Sequence, residues 1–226
     1  MAFGIMIRNG KNEVVIDADY SGLYVLREFN ASQTFQTSAA NKPSYYRFIP
    51  PRNDPTSLLA VRLDDGDKIF GGPLMFYSNR QTLTFREITT FARNAPPSSG
   101  YGFEVFNAAR ELCYSTARSL APVSRILSFA GANGGSTMGD ERTIGTAAVT
   151  ARERWMILSP VSYGAERQPR SPTASYAYRY VGGLRRDSAT QVSFIHAAIS
   201  REDVGGSTPT ASWTVSPQSI LFFDGA

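Results

Sequence analysis

Apolar and polar residues alternate in short runs along almost the whole chain, and clusters of Gly, Pro, Asn and Asp interrupt the runs at close spacing. Period-2 alternation between turn residues is the signature of half-buried strands. It predicts strands near 4–8, 13–17, 23–28, 45–49, 57–63, 68–70, 74–78 and 82–90. A second series follows near 102–107, 111–115, 124–130, 146–152, 155–158, 174–181, 191–198, 212–215 and 219–223. Two stretches compete as helices. TIGTAAVTARERWMIL, 143–158, ends on WMIL, which makes its second part at least as good a strand. FREITTFAR, 85–93, spaces Phe85, Ile88 and Phe91 loosely, but its threonines and aromatic residues favour a strand. The expectation is an all-β protein.

Two of these segments read alike. FGIMIRNGKNEVVIDA from Phe3 and YGFEVFNAARELCYST from Tyr101 align without a gap. Gly4 falls on Gly102, Asn9 on Asn107 and Glu13 on Glu111, while Ile5, Ile7, Val14 and Ile16 fall on Phe103, Val105, Leu112 and Tyr114. Each copy is an aromatic, a glycine, an alternating run, an Asn-led turn and a second apolar run, which is the pattern of a β-hairpin. Asn9-Gly10 is a strong turn signal; Ala108 replaces the glycine in the second copy, so the turn type is expected to change.

NAPPSSG, 94–100, separates the two series. Two prolines cannot continue a ladder, and small polar residues build no core. The division expected is a domain over 1–95, a linker over 96–100 and a longer domain over 101–226. Each is predicted as an antiparallel β-sandwich-like domain opening with the same hairpin. GANGGSTMGD, 131–140, and ERQPRSPTAS, 166–175, read as mobile surface insertions.

At 226 residues the chain can bury a core without disulfides or metals. No run is long enough to span a bilayer, and the opening MAFGIMIRNG is too briefly apolar for a secretory signal. One cysteine, Cys113, fits folding in a reducing cytoplasm. The net charge of +4 is carried almost entirely by scattered arginines, with only Arg185-Arg186 adjacent. A nucleic-acid surface would concentrate its cations, so none is expected.

Candidate chemistry fails on inspection. Cys113 and His196 are the only thiol and imidazole, and a nucleophilic pair would need them in contact with an orienting group. The alignment puts Cys113 on Val15, an inward strand position. Asp64-Asp65-Gly66-Asp67 starts like a calcium loop, but Ile69 and Phe76 stand where ligands are needed, so a tight turn is expected. Gly131, Gly134, Gly135 and Gly139 lack the Gly-Lys-Ser/Thr of a phosphate loop, and no lysine follows Lys68. G-x-S-x-G is missing. No catalytic, cofactor-binding or metal-ligating residue is assigned, and no cofactor is expected.

Aromatic residues are the remaining signal. Tyr176, Tyr178 and Tyr180 alternate, so all three share one face of a strand. Tyr45, Tyr46 and Phe48 form a second cluster, and Phe222-Phe223 a third. Such a stripe is either a core face or a surface for a subunit or a sugar. Tyr176, Tyr178, Tyr180, Phe222 and Phe223 are the candidate interface or ligand-binding residues.

The two hairpin segments also carry a resemblance. Gly4, Asn9, Val14, Val15 and Asp17, with Gly100, Tyr101, Gly102, Val105, Asn107 and Leu112, resemble minor tail proteins encoded near the tail-tip genes of siphovirus-like tailed bacteriophages. The resemblance covers about a sixth of the chain, and Arg110 and Cys113 stand where such sequences more often have a glycine and an apolar or aromatic residue. It implies a non-enzymatic virion protein of the tail tip or baseplate, made in the host cytoplasm. Its implied partners are other phage tail proteins, with a homo-oligomer of about three or six copies in a symmetric tail. The alternative is a receptor-binding module whose loops at 131–140 and 167–175 contact a host surface polysaccharide or protein. A cell-wall hydrolase would need convergent acids, and no pair stands out.

Overall fold

A computed structural model describes residues 7–8, 14–16, 22–34, 36, 44–72, 75–98, 100–107, 109–129, 132–134, 141–158, 163–205, 210–215 and 218–224. The strands are β1 (Ile7–Arg8), β2 (Val14–Ile16), β3 (Tyr24–Ser32), β4 (Tyr46–Phe48), β5 (Leu58–Arg62), β6 (Lys68–Gly72), β7 (Met75–Ser78) and β8 (Thr82–Thr89). A 3-10 turn, Ala92–Asn94, precedes β9 (Glu104–Phe106), β10 (Leu112–Ser115), β11 (Val123–Phe129), β12 (Ala132–Gly134) and β13 (Glu141–Ala148). Then come β14 (Glu153–Leu158), β15 (Tyr163–Ser171), β16 (Ala174–Ser188), β17 (Gln191–Gly205), β18 (Thr210–Val215) and β19 (Gln218–Asp224). The fold is all-β. Two main antiparallel sheets hold six strands (β11-β19-β14-β5-β8-β3) and nine, and the hairpins β1-β2 and β9-β10 form two-stranded sheets of their own.

Both stretches with helical spacing are mainly extended, the second ending in the 3-10 turn at Ala92–Asn94. β13 and β14 divide 141–158 at a turn, so the strand predicted at 146–152 lies further upstream; β8 takes up 82–89. The insertion predicted over 166–175 is instead the hairpin of β15 and β16, closed at Pro172-Thr173. In the predicted loop over 131–140, β12 occupies Ala132–Gly134 and residues 135–140 lie outside the described ones.

Contacts divide the chain into two compact units. The first is Met1–Phe29, Arg52–Ala60 and Arg86–Pro122; the second is Asn30–Pro51, Val61–Phe85 and Val123–Ala226. These units do not follow the expected boundary at 96–100. Strands from both sides of the prolines pair in the second unit, where Gly183 of β16 sits opposite Phe70 of β6. The Pro-Pro-Ser-Ser segment is itself tied down, since Ser98 donates its N–H to Ala117 O at 2.6 Å.

The first unit holds both hairpins, and they share one register. Ile7 pairs Ile16 and Arg8 pairs Val14 in the first. Val105 pairs Tyr114 and Phe106 pairs Leu112 in the second. Each pairing in one becomes its counterpart in the other on adding 98, and both skip the same residue, Val15 or Cys113, at a bulge. Asn107 explains its own place in the repeat. Its Oδ1 accepts the N–H of Ala109 at 3.0 Å and of Glu111 at 2.8 Å, and its Nδ2 donates to Glu111 Oε2 at 3.0 Å. Gly102 does so too, because a Cβ there would lie 2.6 Å from Ala117 N. Arg110 closes the turn at φ 61, a conformation that strains any residue with a Cβ. A buried cluster of Tyr24, Ala92 and Ala95, with Leu26 and Leu112 against it, anchors the hairpin.

In the second unit, Phe85 of β8 meets Phe76 of β7 at 5.5 Å and Phe48 of β4 at 6.1 Å between ring centres. β16 and β17, each 15 residues long, form its longest hairpin. Arg186 near the end of β16 is fully buried. Its guanidinium donates to Asp65 Oδ1 at 3.0 Å and to the carbonyls of Glu153 (2.7 Å), Thr150 (3.1 Å) and Ala189 (2.7 Å). The Asp64–Asp67 segment is a tight turn: Asp67 N donates to Asp64 O at 3.0 Å, and Gly66 sits at φ 82. Its carboxylates meet arginines. Asp64 pairs with Arg62 and Arg154, Asp65 with Arg186, and Asp67 with Arg80.

Arg186→Met should lower the free energy of urea unfolding by about 2–4 kcal/mol, because the buried Glu153 carbonyl and the part-buried carbonyls of Thr150 and Ala189 lose their donor. Asp65→Asn should cost less than about 1 kcal/mol, since that carboxylate is more than half exposed. Arg110→Gly should raise stability by about 0.5–1 kcal/mol in the same measurement, relieving the left-handed backbone at some cost in chain entropy.

Candidate functional site

The residues expected at a binding face lie mostly inside the protein. Tyr178 and Tyr180 are buried, and only Tyr176 is half-buried, its ring 6.3 Å from that of Tyr178. Phe222 and Phe223 are both fully buried on β19, which pairs with β11 on one side and β14 on the other. Rings enclosed on this scale are core, so an accessible surface stripe is not what these residues form. Cys113, expected inward, is half-buried at the hairpin bulge, with its Sγ 3.4 Å from Glu111 O. His196 is buried on β17 of the second unit, whereas Cys113 belongs to the first.

The exposed aromatic residues are elsewhere. Tyr101 is 92% exposed and Phe103 about half exposed in the segment that leads into β9, and Phe106 at the end of β9 is also about half exposed. Phe103 is held at both backbone groups: its N–H donates to Thr116 Oγ1 at 2.7 Å and its carbonyl accepts from Thr116 N at 2.9 Å. Arg118 pins the base of the hairpin, donating to Ala95 O at 2.9 Å and to Glu104 Oε1 at 2.5 Å. Arg93 pairs with Glu111 of the turn at 2.6 Å and lies 5.3 Å from the ring centre of Phe91, another half-exposed aromatic. The result is a firmly fixed hairpin presenting apolar rings outward. The repeat contained this signal, because the alignment already placed Tyr101, Phe103 and Phe106 on a hairpin; nothing in it distinguished rings that face the core from rings that do not.

The first unit also contains an open cleft of about 480 Å³ lined by Leu26, Arg27, Asn53, Asp54, Pro55, Asn94 and Pro96. Glu87 fixes two of its walls. This buried carboxylate accepts Arg27 Nε at 2.7 Å, the N–H groups of Asn53 (2.9 Å) and Asp54 (3.0 Å), and the Ser57 hydroxyl at 2.6 Å. Burial pushes the Glu87 carboxyl up, but the Asp54 N–H, Ser57 and Arg27 outweigh it and hold the group below the ordinary value of 4.5. Asp54 is likewise lowered, chiefly by the Thr56 hydroxyl and N–H, with a further bond from Asn94. Asp54, kept ionised on the cleft wall, is an acceptor, so with Asn53, Asn94 and Arg27 the cleft is equipped to bind polar groups.

Among the described residues, no group of three or more His, Cys, Asp and Glu side chains is placed to hold a metal ion. No helix among them is long and apolar enough to cross a membrane. Comparison of the chain with protein-family models, with curated proteins and with solved structures finds no match.

Two buried ionisable systems set distinct acid limits. His196 is lowered to about 4 by burial and by the charge of Arg142. The unfolded imidazole binds its proton near 6.5 and the folded one only near 4, so stability is full above 6.5 and falls between those values. Burial pushes Glu153 up, yet the Thr150 N–H and Arg125 bring it below 4.5, as for Glu87. Their contribution is full above 4.5 and drains away only below it. Urea unfolding across pH should therefore show two declines, and His196→Gln should flatten the one between 6.5 and 4 while leaving the lower one in place.

Proposed function

We propose that this protein is a non-enzymatic structural component of a bacteriophage tail tip or baseplate, docking other tail subunits through the aromatic hairpin of its first unit. The observation that carries the reading is Tyr101 at 92% exposure beside Phe103 and Phe106 on a hairpin braced by Arg118 and Arg93. Solvent-exposed rings on rigid backbone lose little entropy when covered, and aromatic anchors dominate interface energies. The sequence resemblance supplies the setting, a virion tail assembled from proteins made in the host cytoplasm, with about three or six copies in a symmetric particle. Charged groups in the interior support a structural role, since Glu87, Glu153 and Arg186 are committed to fastening loops.

A second reading, a receptor-binding module, is favoured by the cleft. Asn53, Asp54, Asn94 and Arg27 offer hydrogen-bonding groups beside Pro55 and Pro96, a mixture suited to a sugar of a host surface polysaccharide.

Assembly with purified tail proteins of the same particle separates the readings. The double variant Tyr101→Ser, Phe106→Ser should keep the wild-type unfolding midpoint and weaken incorporation at least about tenfold. If it incorporates normally while Asn94→Ala abolishes binding to host glycans, the receptor-binding reading replaces the tail connector.

A further inference from the structure

The tip of the aromatic hairpin carries a charge that the fold does not use. Arg110 is the only non-glycine residue with positive φ among the described residues, at 61°. The loop around it imposes that conformation. Asn107 donates its N–H to Glu111 O at 2.9 Å and accepts the N–H of Arg110 on its own carbonyl at 2.9 Å. Its side-chain oxygen takes the N–H groups of Ala109 and Glu111. The left-handed position of a short hairpin loop ordinarily holds glycine, or asparagine, which tolerates it. The aligned position of the first segment is Asn12. Arginine strains the loop instead, and it brings no internal contact in return. It is exposed, and among the described residues its guanidinium has no hydrogen-bond or ion-pair partner.

The other charges of the hairpin are already matched. Glu104 pairs with Arg118 at 2.5 Å and Glu111 with Arg93 at 2.6 Å. Residues 101–118 contain no further Asp, Glu, Lys or Arg, so Arg110 is the uncompensated one. It stands in the loop directly beyond the rung that pairs Phe106, half exposed, with Leu112. Strain held in place without an internal return points to a use outside the molecule. We propose that Arg110 is a specificity-determining contact of the docking hairpin, pairing with a carboxylate on an acidic surface of a neighbouring tail subunit while Phe106 is covered beside it; this rests on the docking role proposed for the hairpin. A guanidinium meets a carboxylate through two parallel N–H groups, so it fixes orientation as well as charge. The rings supply the buried area, and the cation selects the partner and the register. A nucleic acid or an anionic membrane would draw on several clustered cations, and this hairpin offers one.

Arg110→Gly separates docking from folding, because it relieves the strain and removes the charge together. Incorporation of the full chain with purified tail proteins of the same particle is measured at low and high salt, beside the unfolding midpoint. The expected result is a raised midpoint with incorporation weakened at least about tenfold at low salt, a difference that shrinks as salt screens the pair. Arg110→Lys should keep the salt dependence and recover only part of the loss, since an ammonium lacks the planar fork. Normal incorporation of Arg110→Gly, or a loss that is the same at high salt, would overturn the proposal. So would capture of the wild type, but not of Arg110→Gly, by phosphatidylserine vesicles with incorporation unchanged, which would assign the charge to a membrane. The Tyr101→Ser, Phe106→Ser variant keeps the two claims apart. If it loses incorporation and Arg110→Gly does not, the charge contact is wrong and the docking hairpin stands; if neither loses it, both fall.

Discussion

One buried guanidinium of the second unit, Arg186, sits where the chain exchanges between the six-stranded and the nine-stranded sheet. The backbone passes from the six-stranded to the nine-stranded sheet through the turn after β5, and returns through the turn between β13 and β14. Arg186 binds both crossings, through Asp65 in the first and through the carbonyls of Thr150 and Glu153 in the second. It also caps its own hairpin at Ala189. A planar fork with five donors is the side chain able to reach three turns at once, which is why a charge survives where solvent is excluded. Backbone bonds add to the clamp, with Gly66 N on Arg186 O and Arg186 N on Asp67 O.

Buried glutamates repeat this logic from the acceptor side. Glu153 takes the N–H of Thr150 and the guanidinium of Arg125; Glu87 takes two loop N–H groups, a hydroxyl and Arg27. In both units an ionised carboxylate gathers backbone donors that irregular chain would otherwise leave unsatisfied. Arginine-rich composition, which suggested no clustered face in the sequence, is thus partly the means by which long connections are tied into a β framework.

The local grammar of the chain was legible in its residues. Asn107, Glu111 and Gly102 are the positions that match across the two hairpin segments, and in the second hairpin each does a job fixed within that hairpin: closing the turn, or letting the backbone pass Ala117. Period-2 alternation likewise placed most strands. Long-range consequences were not legible. Alternation puts Tyr176, Tyr178 and Tyr180 on one face of β16, but whether that face is covered depends on strands distant in sequence. Phe222-Phe223 raised the same question, and the answer came from β11 and β14, far upstream. Pro96-Pro97 were read as a spacer because composition does not reveal Ser98 bonded to Ala117. Arg186 and Asp65 stand 121 residues apart, so no local pattern joins them.

The position of β19 has a consequence for how the molecule is made. Both of its neighbours, β11 and β14, precede it in sequence, and it lies between them. While the chain is being synthesised, the six-stranded sheet therefore has a vacant slot one strand in from β11, flanked by two unsatisfied edges, until residues 218–224 emerge from the ribosome. Closure of that sheet must await nearly the whole of this sequence, a high-contact-order step during which the open edges are most exposed to wrong partners.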